Sequence, residues 1–180
     1  DTAEMYPTNP VRRKTAGRTE KIIGTWLKKR KGRHKIILAT KIIGKGSKTV
    51  RDGGDITKET IDKALIDSLR RLDSEYVDLY QLHWPNRGSY HFRQNWNYNP
   101  CHQVKERTVE NIYEVMVHLT KLVNEGKIRT LGLSNETAWG TMQYLNIAKE
   151  HGLEQMVSIQ NEYSLLCRYF DTDLAEISHN

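Results

Sequence analysis

The sequence predicts a parallel α/β fold, and three observations predict it. Four short apolar runs recur along the 180 residues: KIILATK (Lys35–Lys41), VDLYQLHW (Val77–Trp84), IRTLGLSN (Ile128–Asn135) and MVSIQNEYS (Met156–Ser164). Each carries polar residues at or near its end: Lys41, His83, Ser134 with Asn135, and Gln160 with Asn161. The segments between have helical period, and successive runs start roughly 30 to 50 residues apart, room enough for right-handed crossovers. A parallel sheet of four strands buried on both faces follows. A doubly wound sheet and part of a (β/α)8 barrel both satisfy this pattern. The Rossmann glycine fingerprint is missing, which weighs against the first.

The elements follow in order. Asp1–Tyr6 is short and polar, and Pro7 and Pro10 mark the loop after it. Thr19 caps a helix from about Glu20 to Lys31, with Ile22, Ile23, Trp26 and Leu27 as its apolar face and Gly32 as its stop. The first strand runs from Ile36 to Thr40, with Lys41 at its end. Gly44–Asp55 is a basic, glycine-rich surface loop. It lacks the earlier glycine that a phosphate loop requires. Thr57 and Thr60 open a helix to about Leu72, lined inside by Ile61, Ala64, Leu65, Ser68 and Leu69. After the second strand, residues 85–107 form a loop insertion bearing Tyr90, Phe92, Trp96 and Tyr98. Its aromatics either wall a substrate pocket or pack only on the scaffold. A helix from Thr108 to about Glu125 uses Ile112, Val115, Met116, Leu119 and Val123, and stops at Gly126. The next runs from Ala138 to His151, with Met142, Leu145, Ile147 and Ala148 in the core and Gly152 as its stop. The fourth strand ends near Tyr163, and Asp171–His179 begins another helix.

Composition bounds the function. No apolar run approaches the roughly 20 residues of a membrane helix, so no membrane insertion is expected. No secretory leader opens the chain, and Cys101 and Cys167 form no CxxC pair, so a cytoplasmic setting is expected. The net charge of +6 owes much to KKRKGRHK (Lys28–Lys35). That run reads as a solvated helix end, or as charge that draws in an anionic cofactor. It lacks the interleaved aromatics of a nucleic-acid site, so no nucleic-acid partner is expected. No metal site is expected either.

DTAEMY, ATK, DLYQLHWP, GKIRTLGLSNE and SIQNEYSLL together resemble successive motifs of the aldo-keto reductases. The branch they resemble is that of the Tas-like bacterial enzymes, related to the potassium-channel β-subunits. The resemblance runs from Asp1 to about Ala175. It implies a (β/α)8 TIM barrel, here a partial one covering about its strands three to six, so that residues 1–180 make a single partial domain. It also implies NADPH-dependent reduction of a small carbonyl substrate to an alcohol. By the same resemblance, Asp1, Tyr6, Lys41 and His83 fill the catalytic positions, and Ser134, Asn135 and Gln160 match those that hold the nicotinamide carboxamide.

The residue types suit that chemistry. Hydride transfer leaves negative charge on the carbonyl oxygen, and an acid must protonate it. A free tyrosine, with a pKa of about 10, is a poor donor near neutral pH. Lys41 is expected to lower the pKa of Tyr6, with Asp1 holding Lys41 charged and oriented. His83 is expected to hydrogen-bond the same oxygen. A whole barrel needs roughly 250 residues, so the 180 residues alone are expected to show no NADPH turnover. Two alternatives stand beside the reductase: a regulatory binding module resembling the channel β-subunits, and an inactive truncated pseudo-enzyme.

Overall fold

Four strands pair in parallel in the order β1 (Ala39–Ile42), β2 (Val77–Leu82), β3 (Ile128–Ser134) and β4 (Met156–Gln160). The computed structural model describes residues 1–30 and 32–180. Five α-helices connect or flank the strands among these residues: α1 (Arg18–Lys28), α2 (Lys58–Leu72), α3 (Lys105–Asn124), α4 (Ala138–His151) and α5 (Leu174–His179).

The register sorts the sheet into an apolar and a polar face. One row across the strands is Ile42, Leu82, Leu133 and Ile159, and it joins the hydrophobic core under the helices. The adjacent row is Lys41, Gln81, Gly132 and Ser158. Side chains alternate between the faces of a strand, so this second row points away from the helices. Lys41 and Gln81 are nonetheless buried. On the far side of β1, residues 1–5 run alongside it: Thr2 donates its backbone N–H to Ala39 and Glu4 donates to Lys41. Burial on both faces therefore holds for β1 and β2. It fails for the outer strand β4, where Val157 is exposed.

The helices obey local rules to different degrees. At the start of α2, Thr57 and Thr60 form a reciprocal capping box, and Ile61, Ala64, Leu65 and Ser68 are buried as expected. The range of α4 is the expected one, ended by Gly152 in a left-handed conformation. Its buried face differs: Tyr144 is inside and Met142 is exposed. The largest departure is α1, which begins at Arg18 after Gly17 and ends at Lys28. Lys31, its expected end, lies outside the described residues. Ile22 and Trp26 are exposed, while Glu20, Gly24 and Leu27 are buried. The cause is an ion pair. Glu20 accepts from Arg71 of α2 at 2.6 Å and from Thr40 of β1 at 2.6 Å, which rotates α1 away from its most apolar stripe.

Boundaries shift elsewhere. β1 starts at Ala39, because a 3-10 turn occupies Arg33–Lys35 and Ile37 is exposed. Lys41 is thus interior to its strand, paired with Gln81. α3 starts at Lys105, earlier than Thr108, and β4 ends at Gln160, before Tyr163. No helix among the described residues is long and apolar enough to cross a membrane.

Candidate active site

Lys41 reaches the site because β1 carries it on the polar face. Its side chain is 2% exposed, and it forms an ion pair with Asp1 and a 3.0 Å hydrogen bond to the Thr2 carbonyl. The alignment of residues 1–5 with β1 is what brings Asp1 there. Burial lowers the pKa of Lys41 to about 8. That value leaves the ammonium charged at neutral pH, and the Asp1 carboxylate lies against it.

Tyr6 follows the same segment, held by its N–H to Ala3. The Lys41 Nζ lies over its ring, 5.4 Å from the centroid. The Tyr6 hydroxyl is 3.3 Å from His83 Nε2, and the two rings meet edge to face at 5.5 Å. His83 directly follows β2 and is buried, and its backbone N–H donates to the Ile42 carbonyl at 2.8 Å. Burial, and secondarily the Lys41 charge, lower its pKa to about 3, so it is neutral. Its Nδ1 has no partner among the described residues. One expectation reverses here: burial raises the pKa of Tyr6. Burial of the phenol disfavours the phenolate, and the lysine cation sits over the ring face.

The second group gathers at the ends of β3 and β4. Ser134 donates its hydroxyl to the Gln160 carbonyl at 2.8 Å. Asn135 adopts a left-handed backbone with φ of 50° and donates its side-chain amide to the His83 carbonyl at 2.9 Å and to Ser134 Oγ at 3.0 Å. Asn135 therefore joins this group to the first. Its Oδ1, and the whole side-chain amide of the exposed Gln160, make no hydrogen bond among the described residues. An acceptor beside a free primary amide is the complement of a carboxamide.

A cleft of about 680 Å³ opens onto Tyr6 and His83, walled by Met5, Trp84, Phe92 and residues Lys45–Ser47. The glycine-rich loop is thus part of the wall. Trp84 Nε1 donates to the Lys45 carbonyl at 3.0 Å, and a Cβ on Gly44 would lie 2.3 Å from the Trp84 carbonyl. The aromatics of residues 85–107 divide between both expected roles. Phe92 packs edge to face on Trp84 at 5.6 Å in the cleft wall, whereas Tyr90 packs against Tyr98 and Tyr169. Trp96 is 91% exposed. Sequence reading missed Trp84, Arg87, His91 and Glu136, which join the cleft wall to the β3 end. Only Trp84 and Glu136 fell inside recognisable motifs, and nothing around Arg87 or His91 marked them.

A parallel sheet with polar side chains gathered at its strand ends, beside an apolar cleft, is the arrangement expected of one side of an α/β barrel. The chain belongs to the aldo/keto reductase family, whose profile matches residues 1–180. It is 41% identical to Protein tas of Escherichia coli (strain K12) over 184 aligned residues, covering 99% of this chain and 51% of that protein. An aldo-keto reductase of Babesia bovis is 40% identical over 144 residues, covering 74% of this chain and 49% of that protein. A thermostable aldo-keto reductase crystallised with the inhibitor epalrestat superposes with a TM-score of 0.68 at 25% identity, covering 98% of this chain and 49% of that one. The chain spans about half the length of these relatives. Its sheet and flanking helices fit a partial (β/α)8 barrel.

Proposed function

We propose that the protein carrying this chain is an NADPH-dependent oxidoreductase that reduces an aldehyde or ketone to an alcohol, with Tyr6 as the proton donor. One observation supports this most: the Tyr6 hydroxyl stands 3.3 Å from His83 Nε2 with the Lys41 ammonium over its ring, beside an apolar cleft. A cytoplasmic setting belongs to the same reading, supported by the free cysteines Cys101 and Cys167.

The geometry supports the following roles. When bound, the reduced nicotinamide supplies a hydride to the carbonyl carbon. Asn135 Oδ1 and the Gln160 amide would hold its carboxamide, with Ser134 fixing the turn between them. Tyr6 gives its proton to the carbonyl oxygen. Its raised pKa keeps it protonated at neutral pH, and the phenolate it leaves needs compensation. Lys41 provides that as a nearby cation, itself held by Asp1. His83 is neutral, so with its proton on Nε2 it donates a hydrogen bond toward the phenol oxygen without adding charge.

The test uses the full-length protein with NADPH and 4-nitrobenzaldehyde, following loss of the reduced-cofactor absorbance. Tyr6→Phe is expected to lower kcat by about 100-fold or more while NADPH still binds. Unaltered turnover in that variant would overturn the mechanism.

A further inference from the structure

We propose that Arg87 and Glu136 form a positioning clamp that sets the substrate cleft and the nicotinamide-holding turn as one unit. This rests on the reductase reading above and assigns it two positioning residues outside the Tyr6–His83 group.

Glu136 directly follows Ser134 and Asn135. Its side chain is 2% exposed and that of Arg87 is 7% exposed. The contact is a fork: Arg87 Nη1 donates to Glu136 Oε2 at 3.1 Å, and Nη2 donates to Oε1. Arg87 Nη2 also donates to Thr137 Oγ1 at 3.1 Å, and its guanidinium lies over the Trp139 ring, 5.1 Å from the centroid.

The backbone of the same glutamate makes the other connections. Its carbonyl accepts from His91 Nε2 at 3.1 Å and from Asn161 Nδ2 at 3.1 Å. A carbonyl can only accept, so the His91 proton is on Nε2. His91 is buried, lines the cleft and precedes Phe92 in its wall. Asn161 follows Gln160. One residue therefore touches the start of the 85–107 segment, its cleft-lining part, the end of β3 and the end of β4. The packing leaves no slack: a Cβ on Gly140 would lie 2.2 Å from Glu136 Oε1 and 2.3 Å from Arg87 Nη2.

A planar fork paired with a carboxylate fixes orientation as well as distance, and a lysine cannot reproduce it. If the pair loosens, the cleft wall and the Ser134–Asn135 turn lose their common anchor together. A residue that merely stabilised the fold would lower the melting temperature and leave both affinities alone.

The experiment measures NADPH affinity by nicotinamide fluorescence, KM and kcat for 4-nitrobenzaldehyde, and thermal melting, all on the full-length protein. The variants are Arg87→Lys, Glu136→Gln and the double. Each single variant is expected to weaken NADPH binding and raise the carbonyl KM together by about tenfold, with kcat at saturation changed less than about threefold. The double variant should be no worse than the worse single, because both remove one interaction. Folded variants whose two constants stay within about twofold of wild type, or in which only one constant moves, overturn the clamp. Should Glu136→Gln fail to fold, Arg87→Lys keeps the buried charge and decides alone. A wild-type protein that neither binds NADPH nor turns over removes the reductase reading itself, a result separate from any difference among variants.

Discussion

The Lys41 ammonium lies 5.4 Å above the ring centroid of Tyr6, and its hydrogen bonds go to Asp1 and the Thr2 carbonyl. The cation therefore acts on the phenol through space. Its benefit exists only while it is charged, and burial lowers its pKa to about 8. Below that pH the ammonium is present, and above it the neutral amine takes over. The kcat of the full-length protein is therefore expected to fall as pH rises through about 8. Lys41→Met should lower kcat by about 100-fold and flatten that limb. A pH–rate profile of the two proteins checks this, and an alkaline limb that persists in Lys41→Met assigns the titration to another group.

His83 carries a stability cost of opposite pH sense. Its folded pKa of about 3 lies below the ordinary 6.5. Between those values the unfolded chain binds the proton and the folded one does not, so stability falls as pH drops from 6.5 toward 3. The loss is on the order of 2 to 3 kcal/mol by about pH 4.5. Urea midpoints at neutral and acid pH, for wild type and His83→Gln, measure it. The variant should lose less stability on acidification, and equal losses would mean that His83 is not the group responsible.

The parts of the fold legible in the sequence are those set by local rules. Thr57 and Thr60 specify a capping box within four residues, and Gly152 ends α4 because its left-handed backbone suits glycine. Lys41, His83, Ser134 and Asn135 stood out because polar residues interrupt apolar runs. What was not legible depends on partners far apart in the chain. Nothing near Glu20 in the chain announces its pairing with Arg71, 51 positions on, which turns α1 away from its most apolar stripe. The sign of the Tyr6 pKa shift depends on burial, which residue type does not encode. Arg87 and Glu136, 49 positions apart, form their pair only once the 85–107 segment folds back over β3.

Gly24 tests the position of α1. A Cβ there would lie 2.2 Å from the Arg71 carbonyl and 2.8 Å from the Leu72 carbonyl carbon, both backbone of α2. Alanine favours a helix over glycine by roughly 1 kcal/mol, so an exposed site would gain stability. Here the helices must separate, and overpacking costs about 1 to 3 kcal/mol or more. Gly24→Ala is expected to lower the thermal midpoint, while Gly126→Ala, with nothing within 4 Å but a φ of 74°, reports backbone strain alone. A stabilised Gly24→Ala protein would show that the helices are not in backbone contact.

Phe92 tests which wall of the cleft contacts the substrate. It holds a left-handed backbone with φ of 57°, costly for a bulky residue, and its ring meets Trp84 edge to face at 5.6 Å. Strain of this kind persists where surrounding structure enforces it, often at ligand sites. Phe92→Ala keeps the Cβ and hence the backbone strain, so the comparison isolates the ring. An aromatic contact contributes about 0.5 to 1.5 kcal/mol beyond area burial, which predicts a rise of roughly two- to thirteenfold in KM for aromatic aldehydes. Because the ring lies in the cleft wall, kcat should change little and short aliphatic aldehydes should be affected less. Trp96→Ala is the control on the same segment, since that ring is 91% exposed and should leave KM unchanged. If Trp96→Ala raises KM and Phe92→Ala does not, the substrate lies over the outer surface of the segment and the cleft assignment is wrong.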